Sequence, residues 1–116
     1  MIMSSVRRIS WVKAARRDFG VFPEAVQTDI LDALTLVALG VMPAKAKPLS
    51  GIESGVFEIA LRHRTDAFRA VYAIKIDADV WVVHAFQKKS KSGIATPKHE
   101  IDVIRERLKR LREALA

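Results

Sequence analysis

The 116-residue sequence contains no cysteine. This absence excludes disulfide bonds, thiolate metal sites and a cysteine nucleophile. Histidine is scarce as well, and His63, His84 and His99 are not spaced as the ligands of a zinc site would be. The sequence therefore predicts a protein that binds no metal and needs no cofactor.

Long apolar runs are also lacking. A helix that crosses a membrane needs roughly 18 consecutive apolar residues, and the longest candidate, residues 30–41, is interrupted by Asp32 and Thr35. The two arginines near the N-terminus are not followed by an apolar stretch of signal-peptide length. We therefore expect a cytoplasmic protein with no membrane partner. The chain length predicts one domain over residues 1–116, enough for a single core.

Acidic residues are outnumbered. Twenty Lys and Arg against thirteen Asp and Glu leave a formal net charge of +7, and the sequence pI is near 10.1. This excess favours an anionic partner such as nucleic acid, an acidic protein or an anionic membrane face. The alternative interpretation is an ordinary basic surface that keeps the protein soluble.

The apolar periodicity predicts a small α+β domain. A short strand at residues 6–9 is followed by a helix at 11–19, with Ser10 as its N-cap. A second helix, at 23–40, completes a helical hairpin. After residue 55 apolar residues alternate, which predicts an antiparallel meander of three strands ending near residue 86. Three- and four-residue apolar spacing then predicts a C-terminal helix with Thr96 as its N-cap and Pro97 in its first turn.

Several kinds of catalytic site are excluded by missing motifs. The chain has neither a glycine-rich phosphate loop nor a G-x-S-x-G nucleophile motif. Glu58 is the single carboxylate within a predicted strand, which argues against paired-carboxylate and metal-nuclease chemistry. Metal-free cleavage of RNA is still possible, because a 2′-hydroxyl can attack its neighbouring phosphate when nearby groups transfer protons and cations hold the extra charge. DNA lacks that hydroxyl, so such a protein would cut RNA only, and DNA by itself is not an expected partner.

Residues suited to this chemistry occur in the meander and just after it. They are Arg62, Arg69, Tyr72, His84, Lys88 and Lys89. Structural roles are the alternatives: Glu58 pairs with Arg69 across the strands, His84 is a core histidine, and Tyr72 packs in the core with its hydroxyl at the rim. The lysine run that continues to Lys91 would then be solvated.

A resemblance to a known family runs through these residues. The segments GVFEIAL, FRAVYAI and VWVVHAFQKKSKSGIATPKHEI, preceded by KPLSG and followed by a leucine-rich basic helix, resemble the phage-derived branch of the RelE/HigB toxin superfamily. The match covers residues 11–111, and HAFQKKS followed by TPKHEI is its most specific part. The resemblance implies a RelE-like fold, with two N-terminal helices and a C-terminal helix around a twisted antiparallel sheet.

The resemblance also implies a function. Its members are toxins of type II toxin–antitoxin systems: metal-independent endoribonucleases, or mRNA interferases, that cleave mRNA, often on the translating ribosome. Each is neutralised by a cognate antitoxin, which in this branch is usually a helix-turn-helix protein. A non-catalytic RelE-like module of phage origin that binds RNA or protein is the alternative.

Site residues follow from the same resemblance. The implied catalytic set is Arg62, Arg69, Tyr72, His84 and Lys88, in which the cations hold phosphate and His84 or Tyr72 transfers protons. The implied RNA-binding set is Lys47, Lys89, Lys91, Arg105 and Lys109. Members of this group often carry an arginine two residues after the strand glutamate, where this chain has Ala60, so Arg62 would have to replace it.

Overall fold

A computed structural model describes residues 6–88 and 95–116. The described elements are, in chain order, β1 (Ile9–Trp11), α1 (Lys13–Phe19), α2 (Glu24–Ala38), β2 (Ala46–Pro48), β3 (Val56–His63), β4 (Asp66–Ala73), β5 (Val80–Lys88) and α3 (Lys98–Leu115). This order confirms the predicted α+β class, the helical hairpin, the three-stranded meander and the C-terminal helix. No helix within the described ranges is both long and apolar enough to span a membrane.

The sheet has five strands in the order β1-β5-β4-β3-β2. The meander β3–β4–β5 is antiparallel, and β2 adds to β3 in the same sense. β1 instead runs parallel to β5, so the sheet is mixed: the predicted antiparallel meander forms its centre, and the N-terminal strand is parallel to its neighbour. Parallel pairing needs a long crossover, and here α1, α2 and the other strands separate β1 from β5 in the chain.

The N-terminal strand starts later than expected. It covers Ile9–Trp11 rather than residues 6–9, and Val12 occupies the N-cap position of α1 without a side-chain cap bond. Ser10, predicted to cap this helix, lies within the strand, and its hydroxyl donates to the carboxylate of Asp79 at 2.6 Å. The N-cap prediction was therefore wrong, because the hydroxyl bonds to a distant turn instead of the next helical turn.

Helices cover both faces of the sheet. The face under α1 and α2 contains one apolar cluster, which includes Phe19, Ile30 and Ile59. The opposite face, under α3, contains a second cluster with Val71 and Leu108. Burial of each large apolar side chain contributes about 1.5–3 kcal/mol. Successive side chains along a strand point to opposite faces of the sheet, so the alternation determines which residues face α3 and which face the helical hairpin.

Arg7 fastens the β4–β5 turn to the N-terminal segment. Its guanidinium donates to the carbonyl oxygens of Ile74, Ala78 and Asp79 at 2.6, 2.9 and 3.0 Å. Backbone bonds from Val80 to the carbonyl of Arg8 and along β1 continue the attachment. A guanidinium, with five N–H donors in a fixed plane, can satisfy several turn carbonyls together.

Replacement of Arg7 by alanine is expected to reduce the free energy of unfolding by about 1.5–3 kcal/mol, the range for hydrogen bonds to a charged group. Urea unfolding followed by circular dichroism measures the change. Arg8→Ala removes an exposed side chain of the same charge next to it and is the matched control. Equal stabilities for the two variants would contradict the assigned role of Arg7.

Candidate functional site

The strand register brings three of the predicted cations to the α3 face of the sheet. Arg62 and Lys88 are both aligned with Ala67, one on each side of β4. Arg69 belongs to the next row on the same face, opposite Ala60. Directly paired residues and those two positions apart share a face of a sheet, so the three side chains point the same way. Lys47, on β2, is aligned with Glu58 at the edge of this face.

Glu58 and Arg69 form a buried ion pair. The Glu58 Oε1 and Arg69 Nη1 atoms are 2.7 Å apart, with side-chain exposures of 1% and 8%. This contact confirms the expected cross-strand pair. It is diagonal, because Glu58 is aligned with Val71 and Arg69 with Ala60. The guanidinium of Arg69 is thereby held in one orientation.

The second oxygen of Glu58 binds the segment before α3. The hydroxyl of Thr96 donates to Glu58 Oε2 at 2.5 Å. Thr96 was predicted to cap α3, but Pro97 occupies the N-cap position and has no side-chain cap bond. The prediction was wrong because the Thr96 hydroxyl donates its hydrogen bond to the buried carboxylate of Glu58 instead of accepting one from the first turn of α3. Glu58, Arg69, Lys88 and Thr96 are called the Glu58 cluster below.

Lys88 completes this cluster at the end of β5. Its ammonium donates to the carbonyl oxygen of Ala95 at 2.9 Å, and the residue is buried. Burial lowers the pKa of the Lys88 ammonium; the nearby charges of Arg69 and Lys47 lower it further, and that of Glu58 opposes them. A less stable ammonium gives up its proton more readily than an ordinary lysine does.

A small pocket opens beside the Glu58 cluster. It has a volume of about 270 Å³ and lies between β2 with its following loop and the start of α3. Glu58 and Thr96 belong both to the pocket and to the cluster. Apolar walls come from Pro48, Leu49 and Ile101. We call this cavity the β2–α3 pocket.

His84 is bound to α3 rather than to the cluster. Its Nε2 lies 2.6 Å from Glu100 Oε1, and Arg107 Nη1 lies 2.9 Å from its Nδ1. Because arginine can only donate, Nδ1 accepts and Nε2–H donates to Glu100. Burial lowers the pKa of the imidazole; the bond to Glu100 opposes this shift and the charge of Arg107 adds to it. Arg107 also approaches Asp18 of α1 at 3.5 Å, so His84 lies within a chain of polar contacts between two helices.

Tyr72 lies on the other face of the sheet. It belongs to the apolar cluster under the helical hairpin, stacks on Phe57 with 5.5 Å between ring centroids, and its hydroxyl is 3.9 Å from the sulfur of Met42. Burial raises the pKa of the phenol to about 12. The structure thus separates Tyr72 from Arg69 and Lys88, and at neutral pH its hydroxyl keeps its proton.

The predicted RNA-binding residues are dispersed. Arg105 donates to the carbonyl oxygen of Gly51 at 2.5 Å and thereby holds α3 to the loop before β3. Lys109 is exposed on α3 and Lys47 is exposed on β2. Lys89 and Lys91 lie outside the described residues. Among residues 6–88 and 95–116 there is no group of three or more His, Asp or Glu side chains arranged to hold a metal ion.

Sequence reasoning missed Glu100 and Arg107. They are seven positions apart and so lie on the same side of α3, next to its apolar stripe. A polar pair at this spacing beside Ile104 and Leu108 was a usable signal that the helix carries partners for a buried polar group. The partner itself, His84, was not deducible from helical spacing.

Replacement of Glu58 by alanine is expected to reduce the free energy of unfolding by about 3–5 kcal/mol, because it leaves the buried Arg69 guanidinium without its carboxylate. The double variant Glu58→Leu/Arg69→Met should recover much of this loss. Chemical denaturation of the single and double variants gives the coupling free energy. Additive effects of the two substitutions would show that the ion pair is not coupled as described.

Stability is expected to fall as pH decreases from 7 to 5. Folding lowers the pKa of His84, so the unfolded chain binds a proton at a higher pH than the folded protein does. The stability that neutral His84 contributes is therefore complete above the unfolded pKa and is lost as the pH falls below it. The free energy of unfolding decreases by no more than about 1.4 kcal/mol per pH unit from this group. His84→Gln, which cannot titrate, should flatten the stability–pH curve measured by urea unfolding. His63→Gln, which replaces the histidine at the end of β3, is the control and should leave the slope unchanged.

Comparisons with known proteins agree with this architecture. A family model described as phage-derived protein Gp49-like matches residues 17–109. A double arginine-to-alanine mutant of the E. coli toxin RelE in the free state matches with a TM-score of 0.61 at 17% identity, over 90% of this chain and 97% of that chain. RelBE2, a toxin–antitoxin complex from Mycobacterium tuberculosis, contains a chain with a TM-score of 0.49 at 20% identity, over 76% of this chain and 98% of that one.

No curated protein sequence matches the chain. At 17% identity the match to RelE supports the fold alone, whereas the family model spans most of the sequence. The chain therefore belongs to the phage-derived Gp49-like family, and its fold is the RelE-like toxin fold that the sequence predicts.

Proposed function

We propose that this protein is the toxin of a type II toxin–antitoxin system and that it cleaves mRNA on the translating ribosome without a metal ion. The observation that carries the proposal is the convergence of Arg69 and Lys88 on one face of the sheet, with Arg62 in the same row as Lys88. The net charge of +7 favours approach to ribosomal RNA and mRNA. The site of action would be the cytoplasm.

The reaction requires charge stabilisation at the scissile phosphate. The RNA 2′-hydroxyl loses its proton and its oxygen attacks the adjacent phosphorus, which breaks the bond to the 5′-oxygen of the next nucleotide and leaves a 2′,3′-cyclic phosphate. In this proposal Arg69, which Glu58 holds in one orientation, and Arg62 stabilise the negative charge that develops on the phosphate. Such preorganised donors are worth about 10²–10³ in rate each.

Lys88 is assigned the transfer of a proton to the leaving 5′-oxygen. Its lowered pKa supports this role, since an acid is most effective when its pKa is near the working pH. After the substrate arrives, the bond from its ammonium to the carbonyl of Ala95 must give way or be shared. The lysine then neutralises charge in the transition state and donates the proton that the leaving group needs.

The ribosome is proposed to supply part of the catalysis. His84 is bonded to Glu100 and Arg107, and Tyr72 is buried on the opposite face of the sheet. Neither is oriented toward the Glu58 cluster to accept the 2′-hydroxyl proton. Positioning of the mRNA by the ribosome can remove several kcal/mol of the barrier, and water or a nucleotide can then act as the base.

A cognate antitoxin is the proposed protein partner. Its expected class is the helix-turn-helix proteins, by the resemblance seen in the sequence. The excess of positive charge on the toxin favours an acidic or amphipathic segment that covers the cationic face. Such a segment would compete with RNA for Arg62 and Lys88.

A non-catalytic RNA-binding module is the second candidate function. It is favoured by Ala60, which stands where related sequences are expected to carry an arginine, and by the engagement of His84 in contacts with α3. Cationic side chains can bind RNA, but cleavage also needs a group that accepts the proton of the 2′-hydroxyl. Retained RNA affinity with no cleavage product, with and without ribosomes, would identify this function.

The test is induced expression in a bacterial host, with growth and the 5′ ends of mRNA followed by primer extension. Wild-type protein should arrest growth and create new 5′ ends inside reading frames. Lys88→Gln and Arg62→Ala should each reduce cleavage by about 10²–10³ if each residue acts on the phosphate. Lys13→Ala, which removes an equal charge at an exposed position of α1, should leave cleavage unchanged.

Protein purified from the same cells should show native circular dichroism for all variants, because none of these substitutions breaks the Glu58–Arg69 pair. Normal growth and intact mRNA with folded wild-type protein would contradict the nuclease proposal and leave the binding module. Full cleavage by folded Lys88→Gln would instead reject the role of Lys88.

A further inference from the structure

We propose that the β2–α3 pocket is a subsite for one nucleobase of the bound RNA, and that it prefers a base with an exocyclic amino group. The inference rests on the proposed function for the identity of the polymer, RNA, and adds the part of the nucleotide that this chain recognises.

The shape of the pocket suits a single flat base. Its volume of about 270 Å³ is near the lower end of small-ligand pockets, about 300 Å³. Pro48 and Leu49 on one side and Ile101 on the other form apolar walls. RNA is commonly recognised through unstacked bases that form hydrogen bonds along their edges, and here the apolar walls would contact the two faces of the base.

The polar groups at the buried end of the pocket have a defined hydrogen-bonding direction, whereas Lys47 and Ser50, which also line it, are exposed. The Thr96 hydroxyl proton is used in the bond to Glu58 Oε2, so the Thr96 oxygen offers only its lone pairs to a ligand. The carboxylate of Glu58 likewise can only accept. The inner end of the pocket is therefore an acceptor surface, and the group that fits it is an N–H donor.

This polarity distinguishes among bases. Adenine, cytosine and guanine carry an exocyclic amino group that can donate to Thr96. Uracil presents a carbonyl oxygen on each side of its N3–H, and these oxygens would approach those of Thr96 and Glu58. One hydrogen bond between neutral groups changes affinity by about fivefold, which sets the expected scale of the preference.

The position of the pocket allows base and phosphate to be held together. Its lining includes Ala95, whose carbonyl accepts from Lys88, and Glu58, which binds Arg69. Lys47 lines the outer part of the pocket and is close enough to Lys88 for its charge to act there. A base in the pocket thus brings its own phosphate next to cations already assigned to phosphate binding.

Binding of mononucleotides tests the subsite without any need for cleavage. We would titrate ¹⁵N-labelled full-length protein with AMP, CMP and UMP and follow the amide signals of Leu49 and Ile101. AMP and CMP should bind about fivefold more tightly than UMP. Ile101→Trp, which fills the pocket, should abolish the shifts of Leu49, while inorganic phosphate should still perturb Lys88 in this variant.

Two substitutions at one position test the source of the preference. Thr96→Val removes the hydroxyl at nearly constant volume and should equalise AMP and UMP binding, whereas Thr96→Ser keeps the hydroxyl and should retain the preference. Equal binding of AMP, CMP and UMP by wild-type protein, or unchanged AMP binding by folded Ile101→Trp, would overturn the inference.

The same variants separate this inference from the proposed nuclease activity. If wild-type protein cleaves mRNA but Ile101→Trp cleaves with unchanged rate and base preference, the subsite is wrong and the function stands. If mononucleotides bind with the stated preference and no cleavage occurs on ribosomes, the subsite stands and the nuclease function fails.

Discussion

The buried ion pair of Glu58 and Arg69 is the interaction on which the rest of the site depends. Two charges inside a sheet are costly to desolvate, and the cost is offset only when geometry is good and the remaining hydrogen-bonding capacity is used. Here Glu58 accepts from Arg69 with one oxygen and from Thr96 with the other. The pair thereby connects β3, β4 and the segment before α3, and it fixes both a cation and the inner end of the β2–α3 pocket.

Helix α3 is oriented by polar contacts and stabilised by apolar ones. Ile104 and Leu108 bury their side chains on the sheet. The hydrophobic effect stabilises this contact but is non-directional, so it does not fix the orientation of the helix. The orientation of α3 is set by hydrogen bonds. Glu100 and Arg107 bind the two ring nitrogens of His84, and Arg105 binds the loop before β3. The imidazole therefore contributes to the orientation of the helix.

The sequence permitted prediction of features governed by local pattern. Alternation predicted the meander, helical spacing predicted α3, and proximity in adjacent strands predicted the pair of Glu58 with Arg69. Features that depend on contacts between distant segments were missed: the parallel pairing of β1 with β5, the bond of Ser10 to Asp79, and the bond of Thr96 to Glu58. Serine and threonine at such positions resemble helix caps in sequence, and only the fold reveals a buried or distant carboxylate that competes for their protons.

The attachment of Arg7 to the β4–β5 turn constrains the order in which the chain can assemble. Its acceptors are 67–72 residues further along the sequence, and β1 pairs with the last strand of the sheet. During synthesis the N-terminal strand leaves the ribosome long before its partners exist, whereas the meander forms from neighbouring segments. Contacts of such large sequence separation carry the greatest loop-closure entropy and slow folding. The sheet is thus completed only after most of the chain has been translated.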